Sequence, residues 1–256
     1  MKHPVNKLKK ALRQKKFQLG VWSGLCSPIA AEVLSGTPFD WMTIDMEHSP
    51  NTLDTVLHQL QATQGNTMPI IVRPPWNDFV IIKQLLDIGA QSFIIPYVQT
   101  REEAEQAVAA TRYPPEGIRG VAGGNRAGLY GEVPDYLVNA GKEICVIVQV
   151  ETASAVDRIE EIASVKGVDG IFVGPSDLAA SMGHLGNYNH PDVQAKIAEA
   201  AKRILATGKA AATLSFNADQ ARTYAGMGYH MIATASDVTL LRQGAAALVD
   251  GFESFR

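Results

Sequence analysis

Glu151 and Asp177 each stand just past an apolar, strand-like run: ICVIVQVE over 144–151 ends in the first, and GIFVGPSD over 170–177 ends in the second. They lie 26 residues apart, about one strand–helix unit of a parallel barrel. Two carboxylates raised at one rim make a hard, oxygen-rich site suited to a divalent cation such as Mg²⁺ or Mn²⁺. Other reactive side chains fall at corresponding strand ends. Asp45, Glu47 and His48 follow one run and Arg73 follows the next, while Gln149 shares a strand with Glu151 and Ser176 precedes Asp177. Gln149 and Glu151 are two apart and so share a face. A cation site, a guanidinium and an imidazole can therefore meet at one mouth. Each member taken alone has an ordinary reading: Asp177 as a helix cap, Arg73 before Pro74-Pro75 as a surface arginine, His48 before Ser49-Pro50 as a loop histidine. Their coincidence at one rim favours a metal-assisted enzyme.

The elements that must carry these residues are legible as β-branched runs separated by helical patterns. Strands are predicted at 19–23, 41–45, 69–73, 93–97, 145–150, 170–174, 210–215 and 231–235. Helices are expected to start near Pro28, Asn51, Asp78, Arg101, Thr152, Ser176, Asp192 and Asn217, several of them capping residue types. Eight near-continuous apolar strands alternating with helices predict a single (β/α)₈ TIM barrel spanning residues 1–256 as one domain. An additional C-terminal helix is expected from Asp237 to about Phe255, free to close the barrel or to pack on another subunit. The Pro- and Gly-rich stretch 113–143 resists one long helix and is expected beside the rim, with GGNRAG (123–128) as an active-site loop.

Composition narrows the function classes. With 46% apolar residues in 256 the chain can bury a large core, and a formal charge of −3 gives no electrostatic support for a nucleic-acid role. No run is long enough to span a membrane. The lysine cluster Lys2, Lys7, Lys9, Lys10, Lys15 and Lys16 is not followed by a serine-rich stretch or an apolar signal core. It reads as a solvated face of a first helix that buries Leu8, Leu12 and Val5. Cys26 and Cys145 match no zinc or redox spacing and are expected as buried free thiols of a cytoplasmic protein. No lysine follows a strand, which argues against imine chemistry. The histidines include no HxH or HExxH pair, and GGNRAG matches neither a dinucleotide fingerprint nor a P-loop.

The chain resembles the metal-dependent (class II) 2-keto-acid aldolase family along nearly its whole length. FDWMTIDMEHSPN (39–51), IIKQLLDIGA (81–90), TRYPPEGIRGV (111–121), VQVET (148–152) and GVDGIFVGPSDLAASMGHLGN (167–187) carry the resemblance. The last block is the most specific and sits closer to the sugar-acid branch. The resemblance implies that Glu151 and Asp177 ligate a divalent cation (Mg²⁺, Mn²⁺ or Co²⁺), with Asp177 also at the substrate. It implies His48 as general base, Arg73 as the enolate-stabilising arginine and Asp87 as the carboxylate supporting His48. Gln149, Ser176 (through its N–H) and Asp45 match substrate-side positions, Asp45 near a metal-bound water. The implied reaction is reversible cleavage of a 4-hydroxy-2-oxo acid to pyruvate and an aldehyde, in a homo-oligomer that is a hexamer in the family. Met46 stands where many relatives have Gly, and TLSFN (213–217) and ATASD (233–237) depart from the usual strand endings. A CoA-thioester lyase of citramalyl or malyl type, and a barrel that binds keto acids without turnover, remain as alternatives.

Overall fold

The computed structural model describes residues 3–252 and 255; Lys2 of the lysine cluster lies outside the described residues, as do 253 and 254 near the expected end of the last helix. Eight strands form a closed, wholly parallel barrel in sequence order. They are β1 (Gln18–Ser23), β2 (Trp41–Asp45), β3 (Ile70–Arg73), β4 (Ser92–Ile95), β5 (Cys145–Val150), β6 (Gly170–Val173), β7 (Ala210–Leu214) and β8 (Met231–Ser236). Every expected strand is present, with ends shifted by a residue or two. Most helices begin on a side-chain cap, Ser27, Thr52, Asp78, Thr100, Thr152, Asn217 and Ser236 each accepting a first-turn N–H.

Strand parity explains why a dry interior ends in a polar mouth. In β5, Val146, Val148 and Val150 face the helices while Cys145 and Ile147 face the barrel interior. The next inward positions are Gln149 and Glu151. In β2 the inward series is Trp41, Thr43 and Asp45, and in β3 it is Ile71 and then Arg73. These strands thus carry their apolar residues inward toward the base and a polar residue at the C-terminal end. Gly20 is required here, because a Cβ at that position would fall inside the Trp41 indole.

The opposite end of the barrel is plugged by the helix Lys7–Arg13, whose Leu8 and Leu12 join the interior cluster of Trp41, Ile71 and Ile147. Val5 does not take part and is 65% exposed. Lys9 departs from the solvated-face reading: it is buried, donating to the Ile144 carbonyl at 2.6 Å and lying 3.3 Å from Asp169. Cys145 is buried as expected, whereas Cys26 is only half-buried.

The stretch after the helix Arg101–Ala110 is not at the mouth. Arg126 donates to the Ile88 and Leu60 carbonyls, and Asn125 to Asp87, at the C-terminal ends of the helices Phe79–Asp87 and Leu53–Ala62. Helices run back antiparallel to the strands, so these ends lie beside the N-terminal ends of the strands. The last helix spans Asp237–Asp250 and leaves Leu241, Leu248 and Val249 exposed, so it does not close the barrel. No helix among the described residues is long and apolar enough to cross a membrane.

Candidate active site

Parallel pairing of β2 with β3 sets Asp45 directly beside Arg73. The guanidinium meets that carboxylate as a fork, Nε to Oδ1 at 2.8 Å and Nη2 to Oδ2 at 2.7 Å. Its remaining nitrogen, Nη1, lies 2.8 Å from Glu47 Oε2 and 3.5 Å from Gln149 Oε1. Trp22 backs the group, its ring centre 5.0 Å from Cζ. Arg73 is buried and held in one plane. Gln149 passes the network on, its amide donating to Glu151 Oε2 at 2.6 Å, while the Tyr97 N–H donates to Oε1 at 2.9 Å.

A cavity of about 250 Å³ opens over this network. Trp22, Phe172, Leu214 and Phe216 give it apolar walls, and Asp45, His48, Arg73, Gln149, Glu151, Ser176 and Asp177 give it polar ones. Ser176 and Asp177 sit in the first turn of the helix Pro175–Ser181, whose N-cap Gly174 offers no side-chain cap. Gly174 also keeps space beside Glu151, since a Cβ there would lie 2.8 Å from Oε2. His48 is at the rim with its side chain 64% exposed and Nε2 3.9 Å from Glu47 Oε2.

Charge in this mouth is unbalanced, with Asp45, Glu47, Glu151 and Asp177 gathered around the single guanidinium of Arg73. Burial alone would raise the Asp45 carboxyl, but the hydrogen bonds and charge of Arg73 outweigh it and hold that group below its ordinary value. Burial raises Glu47 in spite of Arg73. Glu151 receives only neutral donors, and burial, reinforced by the charges of Glu47 and Asp177, pushes it up to about 7. An all-oxygen donor set with surplus negative charge and open space beside Glu151 fits a hard divalent cation.

Seven of the eight residues singled out in the sequence therefore line one cavity. Asp87 does not, because its Oδ1 accepts from Arg119 at 2.7 Å and Asn125 at 2.9 Å at the other end of the barrel. Glu47 was visible at the end of β2 without an assigned role, and its contact with Arg73 gives it one. The walls Trp22 and Phe172 went unassigned; both are the inward position one layer below the polar rim, which parity alone could have shown.

The family model described as HpcH/HpaI aldolase/citrate lyase matches residues 18–244. The 5-keto-4-deoxy-D-glucarate aldolase of Shigella dysenteriae serotype 1 (strain Sd197) is 49% identical over 248 residues, 97% of each chain. Among solved structures, an HpcH/HpaI aldolase/citrate lyase family protein from Burkholderia cenocepacia J2315 is 41% identical, with a TM-score of 0.93 over 96% of this chain and 99% of that one. An HpcH/HpaI aldolase from Desulfitobacterium hafniense DCB-2 is 28% identical, with a TM-score of 0.89 over 96% of each chain. These relatives support the aldolase reading over the CoA-thioester lyase and the non-catalytic barrel. The chain belongs to the HpcH/HpaI aldolase/citrate lyase family.

Proposed function

We propose that the protein cleaves 5-keto-4-deoxy-D-glucarate, or a closely related 4-hydroxy-2-oxo acid, reversibly to pyruvate and an aldehyde. The observation that carries this reading is the buried Arg73 fork joined through Gln149 to Glu151, opening on a cavity that also holds His48 and Asp177. The family's aldolases depend in general on a divalent metal, and Glu151 and Asp177 are the residues that would hold it. When bound, such a cation supplies Lewis acidity toward the oxo acid and lowers the energy of negative charge on its keto oxygen.

The protein's own groups do the rest. His48 takes the proton from the hydroxyl on the carbon beyond the bond that breaks, a step typically worth about 10²–10⁴-fold. Its exposure leaves the imidazole free to reach that hydroxyl. Arg73 meets the charge that develops at the keto oxygen, and it is already oriented, so little reorganisation is needed. Asp45 and Glu47 position Arg73 from two sides, Gln149 orients Glu151, and the N–H of Ser176 faces the substrate carboxylate. Trp22, Phe172 and Phe216 exclude water from the reacting carbons.

The same reading holds that the chain works as one domain, in the cytoplasm, within a homo-oligomer. Leu241, Leu248 and Val249 on the last helix, with Ile29 and Val33 on the helix Pro28–Ser35, leave exposed apolar surface that a second copy could cover. A role for Asp87 beside His48 requires another copy to present it, given its place at the far end of its own barrel.

The test is pyruvate release by the Mg²⁺-loaded enzyme from 5-keto-4-deoxy-D-glucarate and from 4-hydroxy-2-oxoheptanedioate. Faster release from the sugar acid supports the reading. Release only from an acyl-CoA substrate overturns it.

A further inference from the structure

At the N-terminal end of the barrel a second cavity, about 900 Å³, lies between the plugging helix and the loops that precede β5, β6 and β7. Its size falls within the usual range for small-molecule sites, roughly 300–1,000 Å³. Its lining includes Lys9, Arg13, Arg112, Lys142, Lys166 and Lys209 against the carboxylates Glu116, Glu143 and Asp169. Those acids are partly engaged already: Asp169 faces Lys9 and accepts the Val146 N–H, and Glu143 accepts the Asn6 N–H. The cavity is left with a surplus of positive charge.

Arg112 gives it a specific recognition element. The residue is only 8% exposed, yet it forms no ion pair among the described residues. Nη1 is tied down by the neighbouring Thr111, to Oγ1 at 2.6 Å and O at 3.5 Å. Nε and Nη2 have no hydrogen-bond partner among the described residues. These two N–H groups form the same edge that Arg73 uses on Asp45 in this molecule, where both are filled. Two glycines keep the edge clear. A Cβ at Gly141 would lie 3.1 Å from Arg112 Cδ and 3.6 Å from Nε, and one at Gly167 would lie 3.6 Å from Nη2. A guanidinium tied down at Nη1, with its Nε–Nη2 edge open to the cavity, matches two oxygens of a carboxylate or phosphate.

We propose that this cavity binds a small multivalent oxyanion, gripped by the Nε–Nη2 edge of Arg112 and neutralised by the lysines around it. A phosphate-bearing metabolite and a polycarboxylate share the required chemistry. The site is separate from the mouth, at the other end of the barrel, and does not depend on the aldolase reading.

The experiment is titration calorimetry of the full-length, Mg²⁺-loaded enzyme with inorganic phosphate and, separately, tricarballylate. Saturable binding of either anion is expected, and the one bound more tightly identifies the source. Arg112→Gln should weaken binding about tenfold or more. Arg112→Lys, which keeps the charge and loses the fork, should recover only part of that loss. Should Arg112→Gln not fold, the exposed pair Lys142→Gln/Lys166→Gln serves instead, with several-fold weaker binding and a shallower salt dependence than wild type. Glu151→Gln should bind the anion as wild type does. No saturable binding of either anion overturns the proposal, as does binding that survives Arg112→Gln or vanishes in Glu151→Gln.

Discussion

The base of the barrel and its mouth both bury ionisable groups, and they balance them differently. At the base, Lys9 meets Asp169 at 3.3 Å and the Ile144 carbonyl at 2.6 Å, so a fixed pair locks the plugging helix onto the loops before β5 and β6. At the mouth, one guanidinium serves Asp45 and Glu47 while Glu151 has only an amide and a backbone N–H. A buried pair that is complete within the chain holds structure. A buried carboxylate held ready by neutral donors marks a place where the missing charge comes from outside. The base cavity inverts the sign of the same lesson, since there it is the Arg112 fork that lacks a partner.

Glu151→Gln should break the contrast most severely, by removing one of the two carboxylates that hold the cation. Cation affinity is expected to fall roughly 100-fold or more, and kcat with it; calorimetric Mn²⁺ binding checks the first and a pyruvate assay the second. Arg73→Ala should cost about 10²–10³-fold in kcat. It also strands Asp45 and Glu47 without their cation, so urea unfolding should show a loss of about 3 kcal/mol or more. Arg73→Lys should restore part of the stability and little of the rate, because an ammonium cannot span both Asp45 oxygens. Lys9→Met sharpens the comparison from the other end. It leaves Asp169 unpaired and should cost about 3 kcal/mol of stability with kcat/KM unchanged.

The smallest effect is a pH dependence at the mouth. Without a cation Glu151 is pushed up to about 7, above its unfolded value, so the folded state holds a proton that the unfolded state has lost. Its contribution to the stability of metal-stripped enzyme is therefore present at acidic pH and lost as pH rises through about 7. Added cation should reverse that loss, and cation affinity should fall as pH drops through the same range. Thermal unfolding of stripped and Mg²⁺-loaded enzyme across pH 5–9 checks both, using roughly the interval that brackets this value.

The mouth was legible in the sequence because parity and strand ends are local. Gln149 and Glu151 share a face by counting, and Asp45 and Arg73 fall side by side once β2 and β3 are taken as neighbours. The destination of the 113–143 stretch was not, because Gly and Pro content signals an excursion without saying where it packs. The missing signal was its position after a helix: connections that follow a strand reach the mouth of such a barrel, and those that follow a helix return to the base. Asp87, at a helix C-terminus, lies at the base of its own barrel, so its role beside His48 calls for a second copy. Lys9 departs from the solvated expectation because helical periodicity cannot see Asp169, which lies 160 positions away in the chain.

The most direct test of the central claim uses enzyme stripped of metal and supplied with 5-keto-4-deoxy-D-glucarate, with pyruvate followed before and after addition of Mg²⁺, Mn²⁺ or Co²⁺. The predicted result is negligible release without cation and rapid release with it in wild type, with Glu151→Gln silent in both conditions. Equal release from stripped and reloaded wild type, or full activity in Glu151→Gln, would contradict a cation-dependent cleavage at this mouth.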